Sequence, residues 1–166
     1  KSLNLINLIE RNDRKKIINE TNKDTTKYIL GISCFYHDSS AALIKEGEII
    51  AAAQEERFTR IKNDRNFPVN AINYCLEEGE IDVSTIDAIV FYDDISLTME
   101  RIMKTITDPS LCSQELWLKV LPSWITYKLH FTDIIQKELK YNGLILKNRH
   151  HRSHAAAAFF PSPFEK

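Results

Sequence analysis

The chain has 166 residues, of which 43% are hydrophobic and 27% charged, and its formal net charge is −1 at pH 7. This length suits one domain with a real core, and the near-neutral charge without a basic stripe argues against nucleic acid as a partner. No apolar run approaches the roughly 20 residues of a membrane span, so we expect no membrane insertion. The cysteines are scattered and odd in number, which predicts reduced thiols in a cytoplasmic protein: Cys34, Cys75 and Cys112.

The sequence divides into two unequal regions. Residues 1–27 are polar and charged apart from an early apolar cluster, which predicts a short amphipathic helix within an extension or linker. Residues 28–166 are predicted to form the folded domain. Because the chain begins with Lys1 and stops inside the run PSPFEK, we expect it to be the truncated N-terminal part of a longer protein.

From Tyr28 onward the pattern predicts strands and helices in the order β-β-β-α-β-α-β-α. Period-2 and apolar runs predict strands at 28–33, 41–45, 48–54, 87–92 and 144–148. Helical spacing predicts helices from Phe67-Pro68 to Gly79 and at 96–108, 113–141 and 151–159, the third interrupted at Pro122. Glu46-Gly47 predicts a short hairpin connection, and the charged residues 57–66 predict a loop. The pattern alone indicates an α/β domain with a mixed sheet.

The segment GISCFYHDSSAAL, residues 31–43, places polar side chains at a turn between two apolar strands. Turn amides can point at a bound anion, and small residues such as Ser39 and Ser40 allow it to approach closely. His37 at the mouth of such a turn could act as a general base near neutral pH. Asp38 could serve the same site or only close an Asx-turn. Position alone leaves both roles open.

Two further segments carry residues suited to chemistry. His150 and His154 are four residues apart, the spacing that brings two imidazoles to one helical face, although this spacing also occurs by chance. The charged run QEERFTR at residues 54–60 predicts either a solvated loop with internal ion pairs or contacts to a polar substrate. In the second case Arg57 and Arg60 are the better candidates, because guanidinium groups bind phosphate oxygens in a forked geometry.

Residues 29–60 (ILGISCFYHDSSAALIKEGEIIAAAQEERFTR) resemble the opening of the O-carbamoyltransferases, the nodulation-factor and antibiotic-tailoring carbamoyltransferases. The ending HHRSHAAAAFFPSPFEK resembles the same family's HHxSHAxxAFxxSPF motif. The resemblance implies a ribonuclease-H-like half-domain of the actin/sugar-kinase superfamily. It also implies an ATP-dependent enzyme that moves a carbamoyl group from carbamoyl phosphate, through carbamoyladenylate, to a hydroxyl of a sugar or secondary metabolite.

The resemblance further implies roles for particular residues. His150 and His154 would bind a divalent metal, with iron expected, and an aspartate outside this chain would be a third ligand. His37 and Asp38 would be catalytic. The substrate-binding residues would be Ser39, Ser40, Glu55, Arg57, Arg60 and His151.

The same resemblance implies partners for this chain and leaves other functions open. We expect the carbamoyladenylate-forming step to belong to a C-terminal domain absent from this chain, so that the fragment alone is inactive, and a homodimer is an open expectation. A tRNA threonylcarbamoyl transferase, a sugar kinase and a catalytically silent fragment are the alternatives. The histidine pair disfavours a kinase, and the lack of a basic surface disfavours a tRNA substrate.

Overall fold

A five-stranded mixed sheet is the framework of the protein, in a computed structural model that describes residues 27–107, Pro122 and residues 130–163. The strands are β1 (Tyr28–Ser33), β2 (Ser40–Lys45), β3 (Glu48–Gln54), β4 (Ala88–Phe91) and β5 (Leu144–Lys147). Their order across the sheet is β3-β2-β1-β4-β5. β2 pairs antiparallel with both β1 and β3, whereas β1, β4 and β5 run parallel.

The helices alternate with these strands as the sequence predicts. They are α1 (Glu56–Thr59), α2 (Val69–Glu78), α3 (Ile95–Thr107), α4 (Phe131–Leu139) and α5 (His150–Phe159), with a 3-10 turn at Val83–Thr85. The predicted α/β class with a mixed sheet is confirmed, and the five strands follow in the predicted order, with α1 as an additional helix before α2. The hairpin connection is confirmed too, since Glu46 and Gly47 both adopt the positive φ that a primed turn requires.

The core lies between the sheet and α2. Every third or fourth residue of α2 is apolar on one face, and this face is buried against β2 and β3: Ala71, Ile72, Cys75 and Leu76. Gly79 ends the helix at a point where a Cβ atom would lie 2.5 Å from a methyl carbon of Leu43, so only glycine fits without rearrangement. Large side chains such as Leu30, Ile89 and Phe91 fill the sheet face, each contributing about 1.5–3 kcal/mol by burial.

Some predictions need correction or lie beyond the described residues. The region predicted as a loop at 57–66 begins inside α1, because the Glu55 carbonyl accepts hydrogen bonds from the amides of Phe58 and Thr59, and Arg60 closes the turn with φ at 61°. Cys34 and Cys75 are buried in the core. Cys112, residues 1–26 and most of the helix predicted at 113–141 lie outside the described residues.

The topology brings three chain segments to one edge of the sheet. Because β1, β4 and β5 are parallel, their carboxyl ends share an edge, and ligands of α/β proteins commonly bind there. The segments that leave this edge are residues 34–39, residues 92–94 and residues 148–154. Both histidine motifs of the sequence lie in these segments.

None of the helices in the described part of the chain is both long and apolar enough to cross a bilayer.

Candidate active site

The turn between β1 and β2 presents a histidine–aspartate pair. His37 Nδ1 lies 2.8 Å from Asp38 Oδ2, and the His37 side chain is 59% exposed. The rings of Tyr36 and His37 are stacked at a tilt, with centroids 4.6 Å apart. A hydrogen bond at Nδ1 fixes the orientation of the imidazole and leaves Nε2 as the nitrogen that faces solvent. The pair therefore has the arrangement of a general base with its orienting carboxylate.

The loop after α1 holds this turn in place through backbone hydrogen bonds. The Phe35 amide donates to the Arg65 carbonyl at 2.9 Å, and the Ser39 amide donates to the Asp64 carbonyl at 2.7 Å. Phe35 and Asp38 adopt φ values of 70° and 50°, a left-handed conformation that is uncommon for non-glycine residues. The amides of Phe35 and Ser39 are therefore not available to the anion that the sequence predicted at this turn.

Asp64 anchors the loop by its buried carboxylate. Thr59 Oγ1 donates to Asp64 Oδ2 at 2.8 Å, and the Asn66 amide donates to Oδ1 at 3.0 Å. The pKa of Asp64 is lowered, chiefly by the Asn66 amide, with the Thr59 hydroxyl adding to the effect and burial opposing it. A charged aspartate thus fixes the loop at neutral pH.

Ser39 and Ser40 differ in what they offer a ligand. Ser39 is 1% exposed and its hydroxyl points into the protein, where it finds no hydrogen-bond partner among the described residues. The predicted substrate contact of Ser39 is therefore not compatible with its side-chain direction. Ser40 is half-buried at the start of β2, opposite Ser33, and stays a candidate.

Glu55 also turns inward. Its side chain is 2% exposed, Oε1 accepts hydrogen bonds from the Asn70 amide and Asn70 Nδ2, and Oε2 accepts one from the Ala71 amide at 2.8 Å. A carboxylate at this place caps α2 and interacts favourably with the positive end of the helix. The prediction that Glu55 contacts substrate is corrected: both of its oxygens are used inside the fold.

The two arginines of the same segment remain on the surface. Arg57 Nη2 lies 3.5 Å from Gln54 Oε1 and 3.6 Å from Glu56 Oε1, and its side chain is exposed. Such an exposed ion pair contributes at most about 1 kcal/mol, so the guanidinium can exchange it for a ligand. Arg60 is exposed at the end of α1. Both arginines stay predictions as substrate contacts.

The second motif forms the first turn of α5. The Nε2 atoms of His150 and His154 lie 3.1 Å apart, with ring centroids at 4.6 Å. Two neighbouring nitrogen ligands on a metal with bonds of about 2.1 Å are separated by about 3.0–3.4 Å, so the pair fits one metal ion. Burial lowers the pKa of His150, which favours the neutral imidazole that binds metals. His151 is exposed beside the pair, its ring edge-on to that of His150 at 5.7 Å.

The described residues do not complete a metal coordination sphere around this pair. Within residues 27–107 and 130–163, no group of three or more histidine, cysteine, aspartate or glutamate side chains could hold a metal ion.

Residues after β4 connect the histidine helix to the sheet, and the sequence analysis missed them. Ser153 Oγ donates to the Tyr92 carbonyl at 2.8 Å and accepts from Asn148 Nδ2 at 3.0 Å. The Tyr92 ring packs edge-on against His150 with centroids 5.6 Å apart, and burial raises the pKa of the Tyr92 hydroxyl. Asp93 follows it and is 8% exposed. A signal was present: the run YDD comes directly after a buried strand, at the sheet edge that carries both motifs.

Comparison with known proteins gives the family. The family model for the carbamoyltransferase N-terminus matches residues 28–166. The chain is 44% identical to the uncharacterized protein sll1178 of Synechocystis, over 84% of this chain and 24% of that protein. It is 32% identical to nodulation protein NolNO of Sinorhizobium fredii, over 80% of this chain and 18% of that protein. The chain thus spans a quarter or less of the length of these relatives.

A solved structure, described as an uncharacterized protein with similarity to peptidase YEAZ from Pseudomonas aeruginosa, shares 14% identity with a TM-score of 0.36, and covers 74% of this chain and 43% of that chain. The predicted family resemblance is confirmed by the family model and by the nodulation protein. This chain belongs to the carbamoyltransferase family, in the region that the N-terminal model of that family describes.

Proposed function

We propose that the chain is the N-terminal part of an ATP-dependent O-carbamoyltransferase that acts on a hydroxyl of a sugar or secondary metabolite. The observation that supports this proposal is the convergence of two histidine sets at one sheet edge. His37 with Asp38 follows β1, and His150 with His154 follows β5. The first set suits proton transfer and the second suits a metal ion, and a general base and a Lewis acid both assist carbamoyl transfer to an alcohol.

The metal would be held by Nε2 of His150 and His154, and we propose iron. Its remaining ligands would come from parts of the protein beyond the described residues. When bound, the metal would supply Lewis-acid polarisation of the carbamoyl carbonyl. His151, exposed beside the pair, would face the substrate.

His37 would act on the acceptor. In the proposed step, Nε2 of His37 takes the proton of the acceptor hydroxyl as the oxygen attacks the carbamoyl carbon of carbamoyladenylate. The new C–O bond forms to the acceptor, the bond between the carbamoyl carbon and the phosphate oxygen breaks, and AMP leaves with that electron pair. Asp38, which is hydrogen-bonded through Oδ2 to Nδ1 of His37, would stabilise the imidazolium that forms.

Three further side chains are candidates for binding the carbamoyl donor. Arg57 and Arg60 would contact the phosphate of the donor, and Ser40 would line the donor site at the start of β2. The carbamoyladenylate itself would be made from ATP and carbamoyl phosphate by a further domain. The cysteines are few and scattered along the sequence, which supports our proposal of a cytoplasmic protein.

The experiment compares three forms of the full-length protein purified without oxygen: the parent, the His150→Ala/His154→Ala double variant and His37→Gln. We expect near-stoichiometric iron in the parent and in His37→Gln, and none in the double variant. Carbamoyl transfer from carbamoyl phosphate and ATP to acceptor alcohols should fall about 10²–10⁴-fold in His37→Gln, because a general base is lost while the metal stays. A parent that consumes no ATP with carbamoyl phosphate and acceptors present would reject the proposal. Equal trace metal in all three forms would reject the metal site.

A further inference from the structure

The segment after β3 presents a surface charge that its sequence does not show. Residues 55–65 contain four basic and three acidic side chains, which are nearly balanced. In the structure two of the three acidic side chains are buried, Glu55 and Asp64. All four basic side chains are exposed: Arg57, Arg60, Lys62 and Arg65. Residues 57–65, called the basic loop below, therefore form a positive surface on a chain of nearly neutral net charge.

Each carboxylate of this segment is already engaged by the fold. Both Glu55 oxygens accept hydrogen bonds at the start of α2. Asp64 Oδ2 accepts one from Thr59 Oγ1 at 2.8 Å. Glu56 Oε2 accepts one from the Asn63 amide at 3.0 Å. A carboxylate that turned toward a neighbouring cation would lose these bonds and leave their donors unpaired, which costs free energy.

The same hydrogen bonds make the basic loop compact. The contact between Glu56 and Asn63 and the contact between Thr59 and Asp64 fold the second half of the loop back against α1. Side chains that leave a short, folded-back loop share one small surface. Like charges on such a surface raise its potential and attract anions.

The four cations have few partners within the protein. Arg57 Nη2 lies 3.6 Å from Glu56 Oε1 in an exposed ion pair, which contributes at most about 1 kcal/mol. In the part of the chain that the structure describes, the side chains of Arg60, Lys62 and Arg65 make no hydrogen bond or ion pair. Their charges are thus available to a ligand.

The basic loop lies directly against the turn that carries His37. The Arg65 carbonyl accepts a hydrogen bond from the Phe35 amide at 2.9 Å, and the Asp64 carbonyl accepts one from the Ser39 amide at 2.7 Å. The backbone of Arg65 is therefore fixed beside the turn, two residues from His37 along the chain. An anion held by this loop would lie next to the His37–Asp38 pair.

We propose that the basic loop is the binding surface for the phosphate of the carbamoyladenylate, and that Lys62 and Arg65 bind this phosphate together with Arg57 and Arg60. This inference rests on the proposed function for the identity of the donor. When the carbamoyl group leaves, the electron pair of the broken bond stays on the phosphate oxygen of AMP. The cations therefore stabilise the leaving group more than the donor, and that difference accelerates the transfer.

The test follows the modification of each arginine of the full-length protein by phenylglyoxal, with peptide mass spectrometry as the readout. The ligand is AMP, the leaving group of the proposed transfer. We expect AMP to slow the modification of Arg57, Arg60 and Arg65. Adenosine, which lacks the phosphate, should not slow it. Because the rate is measured arginine by arginine, AMP bound elsewhere in the protein does not affect the result.

Two variants test the residues that the inference adds. Arg65→Ala and Lys62→Ala should each raise the AMP concentration that half-protects Arg60 about 5–10-fold, the size expected for one charge-assisted contact at an exposed site. Arg65 contacts the turn through its backbone carbonyl, so Arg65→Ala keeps that hydrogen bond. The control is Lys137→Ala, which removes an exposed cation from the last turn of α4 and should match the parent.

The other outcomes overturn the inference. No protection by AMP, equal protection by adenosine, or protection by inorganic phosphate alone would each reject the adenylate phosphate as the ligand. Parent-like half-protection in both Arg65→Ala and Lys62→Ala would reject the two added residues. The measurement needs no turnover, so it is independent of the activity assay. A protein that transfers carbamoyl groups without AMP protection keeps its proposed function and loses this site.

Discussion

The turn that carries His37 and the helix that carries His150 and His154 are supported very differently. Backbone hydrogen bonds from Phe35 and Ser39 fix the turn to the following loop, and the buried carboxylates of Glu55 and Asp64 fix that loop and α2 in turn. Helix α5 has no buried residue. Among the described residues, its side chains reach the segment after β4 through the Ser153 hydrogen bond to the Tyr92 carbonyl and through the His150 ring against Tyr92.

This difference indicates how each half of the candidate site reaches its working geometry. The His37 turn is over-determined by contacts within the fold, so its geometry should not depend on a bound ligand. The 3.1 Å separation of the two imidazole nitrogens depends on a helix with few contacts. We therefore expect variants in the first region to act on global stability, and variants in the second to act on metal affinity.

The largest expected effect is the loss of Glu55. Glu55→Ala removes the acceptor of the Asn70 and Ala71 amides at the start of α2 and leaves these donors buried. We expect a loss of about 3–5 kcal/mol in the free energy of unfolding, because several hydrogen bonds to a buried charge disappear together. Chemical denaturation measures it, with Glu48→Ala, an exposed residue at the start of β3, as control.

This variant also tests the contrast between the two regions. Under conditions in which Glu55→Ala remains folded, its affinity for Co²⁺, as a probe of the metal site, should equal that of the parent, because within residues 27–107 and 130–163 the hydrogen bonds of Glu55 go to Ser39, α1 and α2 and none reaches α5. A stability within 1 kcal/mol of the parent, on the scale of an exposed substitution, would contradict the structural role assigned to Glu55.

Replacing Asp64 should lower the free energy of unfolding by a smaller amount, and this loss should depend on pH. The folded-state pKa of Asp64 lies below its unfolded value, so the carboxylate contributes stability that is present above about pH 4 and is lost as pH falls through the folded pKa. Asp64→Asn should therefore cost about 1–3 kcal/mol at pH 7, and the gap between variant and parent should shrink below pH 4. Denaturation at several pH values checks this, with Asp82→Asn as control. A gap that stays constant down to pH 2 would contradict it.

The strands and helices were predictable because their apolar spacing is local. Residues 28–33 and 48–54 form strands with the predicted bounds, and the helix before Gly79 buries the predicted face. Helix α1 was missed because its four residues lack an apolar face and are held by hydrogen bonds to the backbone carbonyl of Glu55.

The sequence predicted only those parts of the candidate site that depend on residue spacing or on strand order. The His150–His154 separation follows from i, i+4 geometry, and the sheet edge follows from the strand order. The inward orientation of the Ser39 and Glu55 side chains could not be predicted from the sequence. Polar residue types at a turn predict exposure, whereas contacts with residues distant in sequence decide which side chains are buried. The residues after β4 were missed although the run YDD follows a buried strand, because only the fold shows that β4 lies next to β5.

The smallest expected effect, that of Ser153→Ala, distinguishes most clearly between the two regions, the His37 turn and helix α5. Ser153→Ala removes the hydrogen bond to the Tyr92 carbonyl and the acceptor of Asn148 Nδ2. Each of these two neutral hydrogen bonds contributes about 1 kcal/mol, so their loss corresponds to about a 5- to 30-fold change in an equilibrium constant. We expect Co²⁺ affinity to fall by about that factor while the denaturation midpoint stays within error of Ser84→Ala, an exposed control in the 3-10 turn. If the midpoint falls and Co²⁺ affinity does not, α5 is part of the cooperative core, and the contrast between the two regions is wrong.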